Sequence, residues 1–147
     1  MKGEIRMSKK LIEWMERMKE VQRMQYDYFK FLITLSTGSI LIIIAILEKV
    51  LTDPQILVKV LIMISIVGFA ATIIFSLGAL PNTGNIILYI NALQKPEIEK
   101  DEKKKREFGD KIDKAFKDIS ISGRIVFYSY ASGIVVLLIS VGVYFFD

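Results

Sequence analysis

The chain reads as an all-α membrane protein with three transmembrane helices, a cytoplasmic N-terminal helix and a cytoplasmic loop helix, in one integral membrane domain over residues 1–147. Three observations predict this class. Apolar residues make up 52% of the chain and lie in blocks rather than being spread along it, unlike the usage of soluble folds. Each block is nearly free of charge over the length a bilayer demands. Aromatic residues gather at block ends, and Lys and Arg are concentrated in two of the four segments outside the blocks.

The N-terminal segment comes first. From Ser8, a plausible N-cap, it contains neither Pro nor Gly before the first apolar block, so a cytoplasmic amphipathic helix is expected over 8–27, continuous with the span. Leu11, Trp14, Met15, Met18, Val21 and Tyr28 recur at helical spacing and form an apolar stripe. Three partners compete for it: the protein's own loop helix, a coiled-coil or protein partner, and the lipid surface. Glu13, Glu16, Glu20 and Asp27 on the polar side disfavour an anionic bilayer. The expected contact stripe is Leu11, Trp14, Met18 and Val21 against Phe108, Ile112 and Phe116 of the loop helix.

The first span is expected at 28–47, with Lys30 placed where its stem can reach the headgroups. At about 1.5 Å per residue it covers about 30 Å, a bilayer core. The second, 56–80, carries Lys59 near its outer end, where snorkelling or a pair with Glu48 or Asp53 would settle it, and is expected to stop at Pro81-Asn82-Thr83-Gly84, a run of helix breakers. The third, 125–146, has no charge. Buried helices of a soluble bundle would keep a polar face, and these do not. A cleavable signal peptide is not expected, because a long charged segment precedes the first block.

Residues 81–124 form the expected cytoplasmic helical loop: a short apolar piece from Ile86 to Leu93, then a charged helix after Pro96 to about Ile119. Its acids precede its bases by four residues at Glu99–Lys103, Asp101–Lys105, Glu102–Arg106, Glu107–Lys111, Asp110–Lys114 and Asp113–Lys117. Each such pair supports a helix by about 0.2–0.5 kcal/mol. The cluster from Lys103 to Arg106 follows directly on Glu97, Glu99, Asp101 and Glu102 and reads as a solvated face.

Orientation follows from basic residues. Eight Lys and Arg lie in residues 1–30 and ten in 81–124, against Lys49 alone in the first outer loop and none after the third span. The positive-inside rule puts the N-terminus and the long loop in the cytoplasm and the C-terminus outside, in a prokaryotic plasma membrane.

Within the spans, small and hydroxyl residues fall on helical registers: Thr34 and Gly38 in the first, Ser65, Gly68, Thr72 and Ser76 in the second, Ser129, Gly133 and Ser140 in the third. Lipid gives helices no hydrophobic reason to associate, so such rows serve close packing or, in an oligomer, line a pore.

Chemistry is mostly excluded by what the chain lacks. It has no His and no Cys, so the commonest metal ligands, the thiolate nucleophile and the imidazole base are missing together. No glycine-rich phosphate loop or paired-carboxylate arrangement is recognisable. No cofactor is expected, and no enzyme. The net charge of +4 comes from interleaved signs rather than a basic face, so nucleic acid is not an expected partner. Two classes remain. One is a homo-oligomer acting as a pore, channel or membrane-perturbing effector under cytoplasmic control helices; the other is an accessory or scaffold subunit presenting those helices to a cytoplasmic protein. In outline, the N-terminal helix, tight two-span hairpin and charged helix resemble small bacterial membrane effectors that accompany nucleotide-signalling defence genes. That resemblance carries no motif, and the third span departs from the two-span pattern.

Overall fold

A computed structural model describes residues 2–49, 55–95 and 101–146. Among them it contains three long helices: α1, Lys2–Lys49; α2, Ile56–Leu93; and α3, Glu102–Phe146. Each contains a stretch long and apolar enough to cross a membrane. The described chain is all-helical, with three helices suited to a membrane.

Three expected boundaries move. Helix α1 is already formed at Lys2, so Ser8 lies inside it rather than capping it. Helix α2 does not stop at Pro81: it runs through Pro81, Asn82, Thr83 and Gly84 and takes in the apolar piece from Ile86. A proline costs a helix one N–H donor and crowds the preceding turn. Membrane helices tolerate this: the carbonyl that Pro81 leaves without a backbone donor is that of Leu77, four residues back, and the following turn carries a further bond in which Thr83 Oγ1 donates to the Leu80 carbonyl at 2.7 Å. Pro81 itself is exposed, so its ring does not enter the packed side of the helix. Helix α3 likewise joins the charged segment and the third apolar block without a break, and Asp101 caps it by accepting from the backbone N–H groups of Lys103 and Lys104 at 3.1 Å each.

Buried positions follow a seven-residue repeat on all three helices. On α2 they are Val58, Ile62, Ser65, Phe69, Thr72, Ser76, Ala79, Thr83, Ile86 and Ile90, in steps of four and three. On α1 Met15, Gln22, Phe29, Ser36 and Ile43 recur every seven residues. On α3 the steps run Ile112, Ala115, Ile119, Val126, then Gly133 and Ser140. A 3.5-residue period is that of knobs-into-holes packing, in which each helix keeps one narrow seam against its neighbours.

The chain divides into two compact units. One comprises Phe29–Gly78 and Ile121–Asp147, and its core is Ile43, Val58, Ile62 and Phe69, with Ile40, Leu47, Ile66, Tyr130 and Leu137 packed around them. The other comprises Met1–Tyr28 and Ala79–Ser120, the parts richest in charge.

Candidate functional site

In the apolar unit the small residues decide how closely helices approach. A Cβ built on Gly68 would stand 3.1 Å from the Ser129 carbonyl oxygen and 3.2 Å from Gly133 Cα, so α2 and α3 touch backbone to backbone. Opposite, a Cβ on Gly133 would meet the Phe69 ring at 3.2 Å. That ring is fully buried and lies edge-on to Tyr130, centroids 5.6 Å apart. Ser65, Thr72 and Ser140 are buried in the same unit, and their hydroxyls donate to the carbonyls of Leu61, Gly68 and Val136. Ser36 and Ser76 are buried with no hydrogen-bond partner on their hydroxyls. Among the described residues the row on α2 is therefore covered by neighbouring helices of the same chain.

Thr34 and Gly38 are placed differently from that row. Thr34 is exposed, with its hydroxyl donated to the Lys30 carbonyl at 3.1 Å, and a Cβ on Gly38 would meet nothing within 4 Å. Thr37, also exposed, donates to the Ile33 carbonyl. These residues share an outward side of α1.

In the charged unit the expected contact stripe splits. Ile112 is buried and Phe108 and Phe116 are half-buried, but Leu11 and Trp14 are each 52% exposed and Val21 39%. Only Met18 of the α1 members is partly covered. The buried side of α1 is Met15, a member of the wider apolar stripe, together with Gln22, flanked by Lys19, Gln25 and Tyr26. Phe108 has a ring of α2 as its neighbour, Tyr89, with centroids 5.9 Å apart, and the Lys111 ammonium lies 5.5 Å from the Phe108 centroid. Of the apolar stripe, Met15 and in part Met18 lie on the buried side of α1 and Leu11, Trp14 and Val21 do not, because the other positions of that side are polar and an apolar count passes over them.

Some of those polar residues form a clasp between α1 and Gln94, the residue that follows α2. The Lys19 ammonium donates to Glu16 and to Gln94 Oε1 at 2.8 Å each, and the Gln94 amide donates to Glu16 at 3.3 Å. The Glu16 carboxyl is consequently held below its ordinary pKa, by the hydrogen bond from Lys19 first and from Gln94 second. Gln22, one turn on, is fully buried with neither amide atom partnered.

Ion pairs that close along the charged part of α3 include Lys104–Asp101 at 3.6 Å, Lys105–Glu102 at 2.9 Å and Lys111–Glu107 at 2.6 Å. Glu107–Lys111 keeps the four-residue spacing read from the sequence, whereas Asp101 and Glu102 each reach a base three residues on. Glu99 lies outside the described residues. The bond to Lys111 holds the Glu107 carboxyl below its ordinary pKa and raises that of the Lys111 ammonium.

A groove of about 660 Å³ opens on the side of the charged unit. Arg23, Tyr26 and Asp27 of α1 form one wall, and Pro81, Gly84, Asn85, Ile87 and Leu88 of α2 the other. Sequence reading did not single it out, because it exists only once α2 continues past Pro81 and brings Asn85 and Leu88 opposite α1. Among the described residues, no three acidic side chains come together as a metal site would require.

No family model, curated protein or solved structure matches this chain. Any function must be argued from its own residues.

Proposed function

We propose that the protein is a non-enzymatic membrane homo-oligomer, pore-like or membrane-perturbing in action, whose charged helical ends lie in the cytoplasm and control it. One observation carries this reading: the outer face of α1. Trp14, Val21, Met24, Tyr28, Phe31 and Leu35 are all exposed, at steps of seven, three, four, three and four. That is a second heptad row, on a different side of α1 from the one already buried, and its first half lies in a segment carrying Glu13, Glu16, Arg17, Glu20 and Arg23. Apolar side chains amid so many charges are poorly placed for a bilayer core and costly in water. A 3.5-residue repeat is the pattern that a parallel copy of the same helix accepts.

Among the described residues the seam of the apolar unit is filled by side chains of the same chain. A lumen would run between copies, and Thr34 and Thr37 are the hydroxyls that α1 leaves on its outward side. The distribution of Lys and Arg orients the assembly, with the N-terminus and residues 81–124 inside and the C-terminus outside.

Absence of native Cys makes the test direct. Val21→Cys and Met24→Cys should each give disulfide-linked dimers in oxidised membranes, and Glu13→Cys and Glu20→Cys should not, since a disulfide needs Cα atoms within about 7 Å. In liposomes the protein should pass ions or dye, and Thr34→Leu with Thr37→Leu should reduce that flux. A strict monomer in detergent that cross-links to nothing but a different membrane protein would replace this reading with the accessory or scaffold subunit.

A further inference from the structure

We propose that the groove between α1 and α2 in the charged unit binds a zwitterionic phospholipid whose headgroup carries a phosphate and a primary ammonium. Two opposite charges line the same wall, Arg23 and Asp27, one helical turn apart. Among the described residues neither closes an ion pair, with the other or with any third side chain. Their order along the helix, base before acid, is the weaker one for pairing with each other. A guanidinium receives phosphate oxygens in a planar fork, and a carboxylate receives an ammonium, so a headgroup with both groups joined by a short spacer satisfies the pair at once.

The rest of the groove fits the rest of such a molecule. Ile87, Leu88 and Pro81 supply an apolar wall, with Leu88 64% exposed, and Asn85 adds an amide for the glycerol or phosphate oxygens. The size is within the range of ligand sites. Its place in the chain also suits a lipid: Arg23 and Asp27 stand just before the first apolar block and Pro81 just after the second. An anionic lipid without an amine would leave Asp27 facing its phosphate, and a soluble anion would leave the apolar wall uncovered.

This proposal rests on the chain being embedded in a bilayer and not on its assembling with copies of itself. The full chain, purified in detergent, is titrated with phosphatidylethanolamine, phosphatidylglycerol or phosphatidylcholine, and native mass spectrometry counts the lipids and the copies retained in one spectrum, so the two ideas fail separately. Phosphatidylethanolamine should be retained best. Arg23→Ala and Asp27→Ala should each weaken its retention about tenfold or more, while Arg23→Lys restores part of it and Arg17→Ala changes nothing. Asp27→Asn should shift the preference towards phosphatidylglycerol. Equal retention of the three lipids, or retention unmoved by both alanine variants, overturns the proposal. Free phosphoethanolamine displacing the lipid at matching concentration overturns the lipid as ligand, and loss of the oligomer without loss of lipid in the groove variants puts a second copy's helix there instead.

Discussion

Replacing Gly68 by Ala puts two known effects against each other, and the structure says which one wins. Gly→Ala in a helix interior gains about 1 kcal/mol of propensity. At Gly68 the new Cβ would sit 3.1–3.3 Å from the Ser129 carbonyl and the Gly133 backbone, where carbon contacts are comfortable at about 3.5–4.0 Å. The obstructing atoms are backbone and cannot swing aside, so α2 and α3 must separate by a few tenths of an ångström along their closest approach. Overpacking of this kind costs about 1–3 kcal/mol. Gly38 provides the reference, because a Cβ there meets nothing. Comparing Gly68→Ala with Gly38→Ala cancels the propensity term and leaves a difference of about 1–3 kcal/mol, with Gly68→Ala the less stable. At roughly 2–4 °C per kcal/mol for a chain this size, that is resolvable by thermal unfolding in a fixed detergent. Gly68→Leu should separate the helices further and Gly38→Leu should not. If the two alanine variants shift the midpoint equally, the close approach of α2 and α3 is not where stability resides, and the packing account of the apolar unit fails.

Three more outcomes are expected. Gln22→Leu should stabilise the chain, by about 1–3 kcal/mol, because it removes a buried amide with no partner and fills the same space with apolar atoms; a loss of stability by the same unfolding assay would mean that the amide has a role in the charged unit. Single cysteines made by Lys103→Cys and Asp53→Cys should differ in intact cells, an impermeant maleimide labelling position 53 and not 103; the reverse pattern inverts the topology. The lowered pKa of Glu107 stabilises the folded helix above the ordinary carboxylate value, and this is lost as pH falls through the lowered one. The raised pKa of Lys111 stabilises it below the ordinary ammonium value and is lost as pH rises through the raised one. The protection factor of the amides around residues 107–111, which is their exchange relative to an unstructured amide at the same pH, should therefore be largest between about pH 4.3 and 10.4, and Lys111→Met should flatten both limbs.

The sequence made the three long apolar helices legible because block length and the absence of charge need no knowledge of neighbours. It misled at Pro81, where four breaker residues in a row suggest a turn; their effect is local and weak beside a helix that keeps Ala79, Thr83, Ile86 and Ile90 buried across the interruption. It misled again on α1. Counting apolar residues selects Leu11, Trp14 and Val21, which the chain leaves outside, alongside the buried Met15, and passes over Lys19, which Gln94 holds, and the buried Gln22. The groove at Arg23 and Asp27 was beyond reach, since a pocket between two helices is defined by which turn of one lies against which turn of the other.

The seven-residue repeat makes the length of each helix a discrete quantity. Deleting one residue from the middle of α2 would turn everything after it by about 100°, carrying Ile86 and Ile90 out of the seam and Ile87 towards it. Deleting seven would restore every buried position but shorten the rod by about 10 Å, a third of a hydrocarbon core. Between those steps no length keeps all the faces aligned. A helical protein that could drift in length by single residues could adapt to thinner or thicker bilayers gradually; this one is held to the thickness its present register spans.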